Sequence, residues 1–117
     1  MNLPQTFDNL IEEAQSQHLY DKLVLQLNKD LHYANIDLSF EKQVLPTSLK
    51  LLLQEVVYKL INEKFMDYLN LLYIVDVSEK KVKGLDTMDT FKLSESVTFL
   101  ILQREWQKVW FKAKYST

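Results

Sequence analysis

At 117 residues the chain has room for one hydrophobic core, so residues 1–117 read as a single domain. An apolar content of 47% argues against disorder, and one Gly with two Pro supplies too few turns for an all-β domain. Fourteen basic residues against sixteen acids argue against a general polyanion binder, and the lack of Cys removes disulfides, thiolate metal sites and cysteine nucleophiles.

Thr6 is a candidate N-cap, and Phe7, Leu10, Ile11 and Ala14 recur at helical spacing, which predicts a first helix near 7–16. Leu19, Leu23, Leu27 and Leu31 repeat at steps of four and predict a second helix over roughly 18–34. Lys22, Gln26, Lys29 and Asp30 are expected on its opposite face. Residues 35–46 read as a connector whose apolar members plug the core from a loop, with a short strand as the alternative. Pro46 marks a boundary, because a residue before proline is pushed out of helical angles, and Thr47 or Ser48 is the expected cap of the next helix.

From there a helical pattern runs to about residue 75. Leu53, Val57, Ile61, Phe65, Tyr68, Leu69 and Leu72 are assigned to one face, and Glu55, Lys59, Asn62, Glu63, Met66 and Asn70 to the other. One long helix over about 47–75 is expected, with a break near Asn62 as the alternative. Asp76-Val77-Ser78-Glu79 has the form of a capping box. Gly84 is placed where a left-handed residue would stop a short helix at Lys83. Residues 85–91, with Asp86 and Asp89, read as a loop. The last helix, about 92–114, is apolar around more than half its circumference through Leu93, Val97, Leu100, Ile101, Trp106, Val109 and Trp110, and is expected at the centre. The fold expected is an all-α bundle of four to five helices.

Residues that carry chemistry are sparse. His18 and His32 stand alone, without a second ligand at helical spacing, so no metal site is expected, and no cofactor is implied. One Gly cannot build a phosphate loop, and no Ser or Thr sits in a glycine-flanked elbow, so the chain does not read as an enzyme. Arg104 is the only Arg. It lies on or beside the apolar stripe of the last helix, as a salt bridge to Asp76 or Asp67 or as a polar anchor in a ligand or partner site. The segment 104–115 interleaves Lys108, Lys112 and Lys114 with Trp106, Trp110 and Phe111. That mixture suits nucleic acid, although Trp106, Val109 and Trp110 at helical spacing read better as core with the lysines as a solvated face. A small basic cluster, Lys80, Lys81 and Lys83, is expected at the surface.

The stretch from Tyr68 to Glu79, and the later one from Leu100 to Phe111, resemble a group of small uncharacterised bacterial helical proteins. The resemblance covers roughly the C-terminal half. It implies a bacterial, cytoplasmic setting and transfers no functional residue, since the group carries no assigned activity. The opening residues lack the pattern of a secretory signal, and no apolar run approaches the roughly 20 residues of a membrane span.

The leading expectation is therefore a non-catalytic interaction or structural module that binds a protein partner or self-associates. Trp106, Trp110, Phe111, Tyr73, Lys108 and Lys112 are its candidate partner surface. Tyr20, Tyr33, Tyr58, Tyr73 and Phe111 exceed what a small core can bury. Nucleic-acid binding through the C-terminal helix is the alternative, and a small-ligand or enzymatic role around Arg104 the third.

Overall fold

Three chain reversals made without glycine set the architecture. In the computed structural model, which describes residues 1–85 and 89–115, helix α1 spans Phe7–Ser16 and α2 spans Tyr20–Tyr33. Between them His18 takes φ 57°, and the amides of His18 and Leu19 donate to the carbonyls of Gln15 and Ala14. Asn35 (φ 60°) ends α2 in the same way, with the amides of Asn35 and Ile36 donating to His32 and Leu31. Both are Schellman motifs, in which a left-handed residue lets two otherwise unpaired helix carbonyls accept hydrogen bonds. Each is followed by an apolar residue, Leu19 or Ile36, that packs onto the core. His18 in this turn is why α2 begins at Tyr20, two residues later than the spacing predicts.

The connector is irregular, with no strand among the described residues, and α2 holds it in place. The Asn28 side chain donates to the Phe40 carbonyl and accepts from the Phe40 amide, both at 2.8 Å, so it mimics a strand neighbour. The Tyr20 hydroxyl donates to the Val44 carbonyl. Its pKa is pushed up to about 12 by burial and then by the Asp21 charge, so it stays a donor. Phe40 is buried from this loop.

Helix α3 covers Pro46–Glu63 and α4 covers Phe65–Val75, so the single long helix expected over 47–75 is broken at Lys64, in line with the alternative of a break near Asn62. Pro46 is itself the first helical residue. It needs no hydrogen-bond partner there, and Leu45 forms the boundary without a side-chain cap, so Thr47 and Ser48 lie inside the first turn. Lys64, at φ −142° and ψ 65°, is the break. An uninterrupted helix would place Lys64 on the buried stripe, four residues after Leu60 and four before Tyr68. Bending the chain at that one residue leaves the ammonium in water and lets the stripe resume as Tyr68, Leu71, Leu72 and Val75. Phe65 and Leu69, expected on the buried face, are exposed instead.

Asp76 (φ 70°) closes α4 with a third Schellman motif, its own amide and that of Val77 donating to the carbonyls of Tyr73 and Leu72. The capping box expected at Asp76 is thus displaced. Ser78 caps the short helix α5 (Glu79–Lys83), its hydroxyl accepting from the Lys81 amide. Gly84 does end α5, but at φ −65° it is right-handed. Of the loop expected at 85–91, residues 86–88, with Asp86, lie outside the described residues, and Asp89 caps α6 by accepting the Lys92 amide at 2.9 Å.

Helix α6, Thr90–Tyr115, is about 39 Å long and sets the longest dimension of the molecule, 40 Å. It packs against α1, α2, α3 and α4, which makes it the central element. Helix α1 bridges α2 and α6, and α4 bridges α2, α3 and α6. The fold is all-α, with six helices among the described residues where four to five were expected; the break at Lys64 supplies the extra one. Among the described residues no helix is long and apolar enough to cross a membrane.

Candidate functional site

Two regions of the molecule defy the usual partition of polar and apolar side chains. The first is inside. Glu105 lies four residues after Ile101 and four before Val109, so helical geometry sets it in the middle of the buried face of α6. It is completely buried, against Asp30 of α2, itself 5% exposed. Lys108, one turn along α6, places its Nζ 2.7 Å from Asp30 Oδ2 and 3.3 Å from Glu105 Oε1. Gln26 donates to Asp30 Oδ1 at 3.3 Å.

Two carboxyl groups in one dry site cannot both ionise cheaply. Burial, then the hydrogen bond and charge of Asp30, push the Glu105 pKa up to about 9. Burial also resists the charge on Asp30, but hydrogen bonds from Glu105 and Lys108, the Lys108 charge and Gln26 together hold its pKa below the usual carboxylate value. Burial beside the Asp30 carboxylate therefore favours the protonated form of Glu105 at neutral pH, and Lys108 balances the remaining charge. The cluster joins α2 to α6 and opens into neither the groove beside α4 nor the cleft beside Arg104.

This cluster corrects two expectations. Asp30, expected on the solvent face of its helix, sits at the edge of the leucine stripe, where Lys108 and Glu105 draw it inward. Lys108, expected as a solvated or partner-facing lysine, is mostly covered, its side chain 22% exposed. Glu105 is absent from the residues that sequence reasoning selects, although its spacing from Ile101 and Val109 is the signal that finds it. Trp106, expected on a partner surface, is fully buried, and its indole N–H meets no acceptor among the described residues. Trp110 is half-buried, while Phe111, Lys112 and Tyr73 are exposed.

Arg104 pairs with Asp76 rather than Asp67. Its Nη2 lies 2.9 Å from Asp76 Oδ2, its Nε donates to the Asp76 carbonyl at 3.2 Å, and its Nη1 donates to Gln107 Oε1 at 2.9 Å. All three guanidinium nitrogens are engaged within the chain, and two of them clasp Asp76, the left-handed residue that ends α4. Asp76 is largely exposed, so the ion pair itself contributes at most about 1 kcal/mol. A polar cleft of about 280 Å³ lies beside it, with Ser78, Lys81 and Gln103 on its wall. Asp67 stands on the exposed side of α4.

The second anomalous region is outside. Nine of the eleven residues of α4 are apolar, more than one face can bury. Phe65, Met66, Leu69 and Tyr73 are left 53%, 75%, 41% and 81% exposed along one side. At the C-terminal end of that side a groove of about 560 Å³ opens between α4 and α5, walled by Leu69, Leu72, Tyr73, Val77 and Val82. A smaller aromatic group ends α6, where Phe111 and Tyr115 stack at 5.7 Å and Lys114 lies over Trp110. No group of three His, Asp or Glu residues among those described could hold a metal ion.

A scan against protein-family models and searches of curated proteins and of solved structures found no match to this chain.

Proposed function

We propose that this chain is a non-catalytic interaction module that docks a partner polypeptide on the outer face of α4. The observation that carries this reading is the exposed row of Phe65, Met66, Leu69 and Tyr73, continuous with the groove beside α5. At about 200 Å² for each large side chain, the four leave roughly 500 Å² of mainly apolar surface in water. Patches of that size on small proteins are commonly functional. The non-catalytic part is supported by the enclosure of the pKa-shifted acid pair, Asp30 and Glu105, away from the groove beside α4 and the cleft beside Arg104.

A photoreactive benzoylphenylalanine in place of Tyr73 tests the reading in cells that express the protein. A polypeptide adduct should form there, should vanish when Leu69→Glu is added, and should not form from the same probe at exposed Glu12 on α1. Equal labelling at both positions, or none at Tyr73, would reject it.

The end of α6 supports a second reading, single-stranded nucleic acid stacked on Phe111 and Tyr115, with Lys112 and Lys114 exposed beside them. Lys108 is committed to Asp30 and does not extend that basic surface. A gel shift with DNA and RNA oligonucleotides at low salt tests it, and absence of a shift there rejects it.

A further inference from the structure

We propose that the polar cleft beside Arg104 binds a phosphate monoester between α5 and α6. This site is independent of the docking face on α4 and adds a second, small-molecule function. Ser78 and Lys81 reach the cleft from α5, Gln103 and Arg104 from α6, and Asp76 is the one acid on its wall.

A surplus of hydrogen-bond donors sets this cleft apart from an ordinary polar surface. A guanidinium has five N–H donors. Arg104 uses three of them, on the Asp76 carbonyl, the Asp76 carboxylate and Gln107 Oε1, so two remain. An ammonium has three donors. Lys81 places one on Gln103 Oε1 at 3.5 Å, so two remain there as well. The Ser78 hydroxyl accepts the Lys81 amide and keeps its own O–H to give. These donors meet no acceptor among the described residues. Charge has the same sign: two cations face Asp76, which already pairs with Arg104, while Glu79 lines the groove on the other side of α5.

The donors are also held in advance. Gln103 is 5% exposed, and its amide nitrogen donates to the Pro4 carbonyl at 2.8 Å, which leaves its oxygen for Lys81. Arg104 is fixed at all three nitrogens. A ligand that meets positioned donors forfeits less ordering entropy than one that must gather them.

The spread of the donors selects the ligand. A carboxylate offers two oxygens in one plane. A phosphate monoester dianion offers three around a tetrahedron, so it can meet α5 and α6 together and balance both Lys81 and Arg104. The cleft, at about 280 Å³, falls below the roughly 300–1,000 Å³ of pockets for drug-sized ligands, so the group that carries the phosphate is small. Leu3, Val77 and Leu100 complete the wall and suit a largely apolar remainder.

Phenyl phosphate is the probe. Titrated at constant ionic strength into nitrogen-15-labelled protein, it should give saturable amide shifts centred on Ser78, Lys81 and Arg104, with acetate weaker and chloride inert. Lys81→Gln, at an exposed position, should keep the helical circular-dichroism spectrum and weaken binding at least about tenfold. Arg104→Lys, which keeps the charge and loses the fork, should weaken it too. Shifts that do not saturate, an equal response to chloride, or Lys81→Gln binding as the wild type does would each overturn the site. Acetate binding as tightly as phenyl phosphate overturns the choice of phosphate. Pelleting with phosphatidylcholine vesicles that contain phosphatidic acid separates the two sources of a phosphate monoester. Lys81-dependent pelleting supports the site with a lipid headgroup as its ligand, and phenyl phosphate binding without pelleting supports it with a soluble one.

Discussion

The contact between α2 and α6 hides charges, while the outer face of α4 shows aromatic rings to water. Each region runs against the rule that sorts side chains by polarity, and the two departures differ in cause. Asp30, Glu105 and Lys108 answer one another: one protonated carboxyl, one carboxylate and one ammonium leave little unbalanced charge, so the site is closed within the chain. Phe65, Met66, Leu69 and Tyr73 stay largely in water, with only the Phe65 ring resting on Tyr68. A buried polar group with its partners beside it is structure; an exposed apolar row without cover is the ground on which an interaction face is proposed.

That contrast can be broken most severely at Asp30. Asp30→Leu should cost about 3 kcal/mol in urea unfolding, because it strands the covered Lys108 charge and removes the acceptor for Glu105. A loss below about 1 kcal/mol would mean that the cluster is not a closed unit.

The next effect is on pH dependence. The Glu105 pKa is raised to about 9 in the folded chain from an ordinary value of 4.5, so between these pH values the folded state holds the extra proton. Its contribution is fully present below pH 4.5 and is lost as pH rises towards 9, by at most about 1.4 kcal/mol per pH unit. Asp30 has the opposite sign: its stabilisation is present above 3.8 and is lost as pH falls through its lowered folded value. Stability measured against pH should therefore peak near the acid end of this range. Glu105→Gln, which keeps a donor towards Asp30, should flatten the decline at higher pH; an unchanged slope would show that Glu105 is not its source.

Smaller effects sharpen the other half of the contrast. Leu69→Ser or Tyr73→Ser should change the unfolding free energy of dilute protein by less than about 0.5 kcal/mol, since neither side chain belongs to the core. A loss of about 2 kcal/mol would make the α4 row part of the fold. At the left-handed turns His18→Gly should stabilise by up to about 1 kcal/mol, whereas Asp76→Gly should yield less, because it also removes the carboxylate that Arg104 holds. Equal gains from the two would show the Arg104 contact to be idle.

Much of this architecture is legible in the sequence. The scarcity of turn residues determined an all-α fold, and the step-of-four leucines placed the buried side of α2, with Leu19, Leu23, Leu27 and Leu31 all covered as expected. Thr6 and the first helix fell where their spacing put them, and the breadth of the apolar face on α6 made it central. Glu105 is legible too, from its place between Ile101 and Val109, but an acid among apolar neighbours is easily read as surface.

What the tertiary structure decided is of another kind. The helical phase passes through Lys64 almost unchanged, so no periodicity marks the break; only the lack of a place for an ammonium against the core does. Left-handed turns fell to His18, Asn35 and Asp76 rather than to Gly84, which ends α5 in a right-handed conformation. Asp30 and Asp76 are both plain acids in the sequence, and their different fates came from what faced them: a lysine and a second carboxyl across α2 and α6, or an arginine at a water-washed turn. The sequence by itself decides which residues must leave water. Which polar groups go with them, and which apolar ones stay behind, depends on partners distant in the chain, and only packing brings those together.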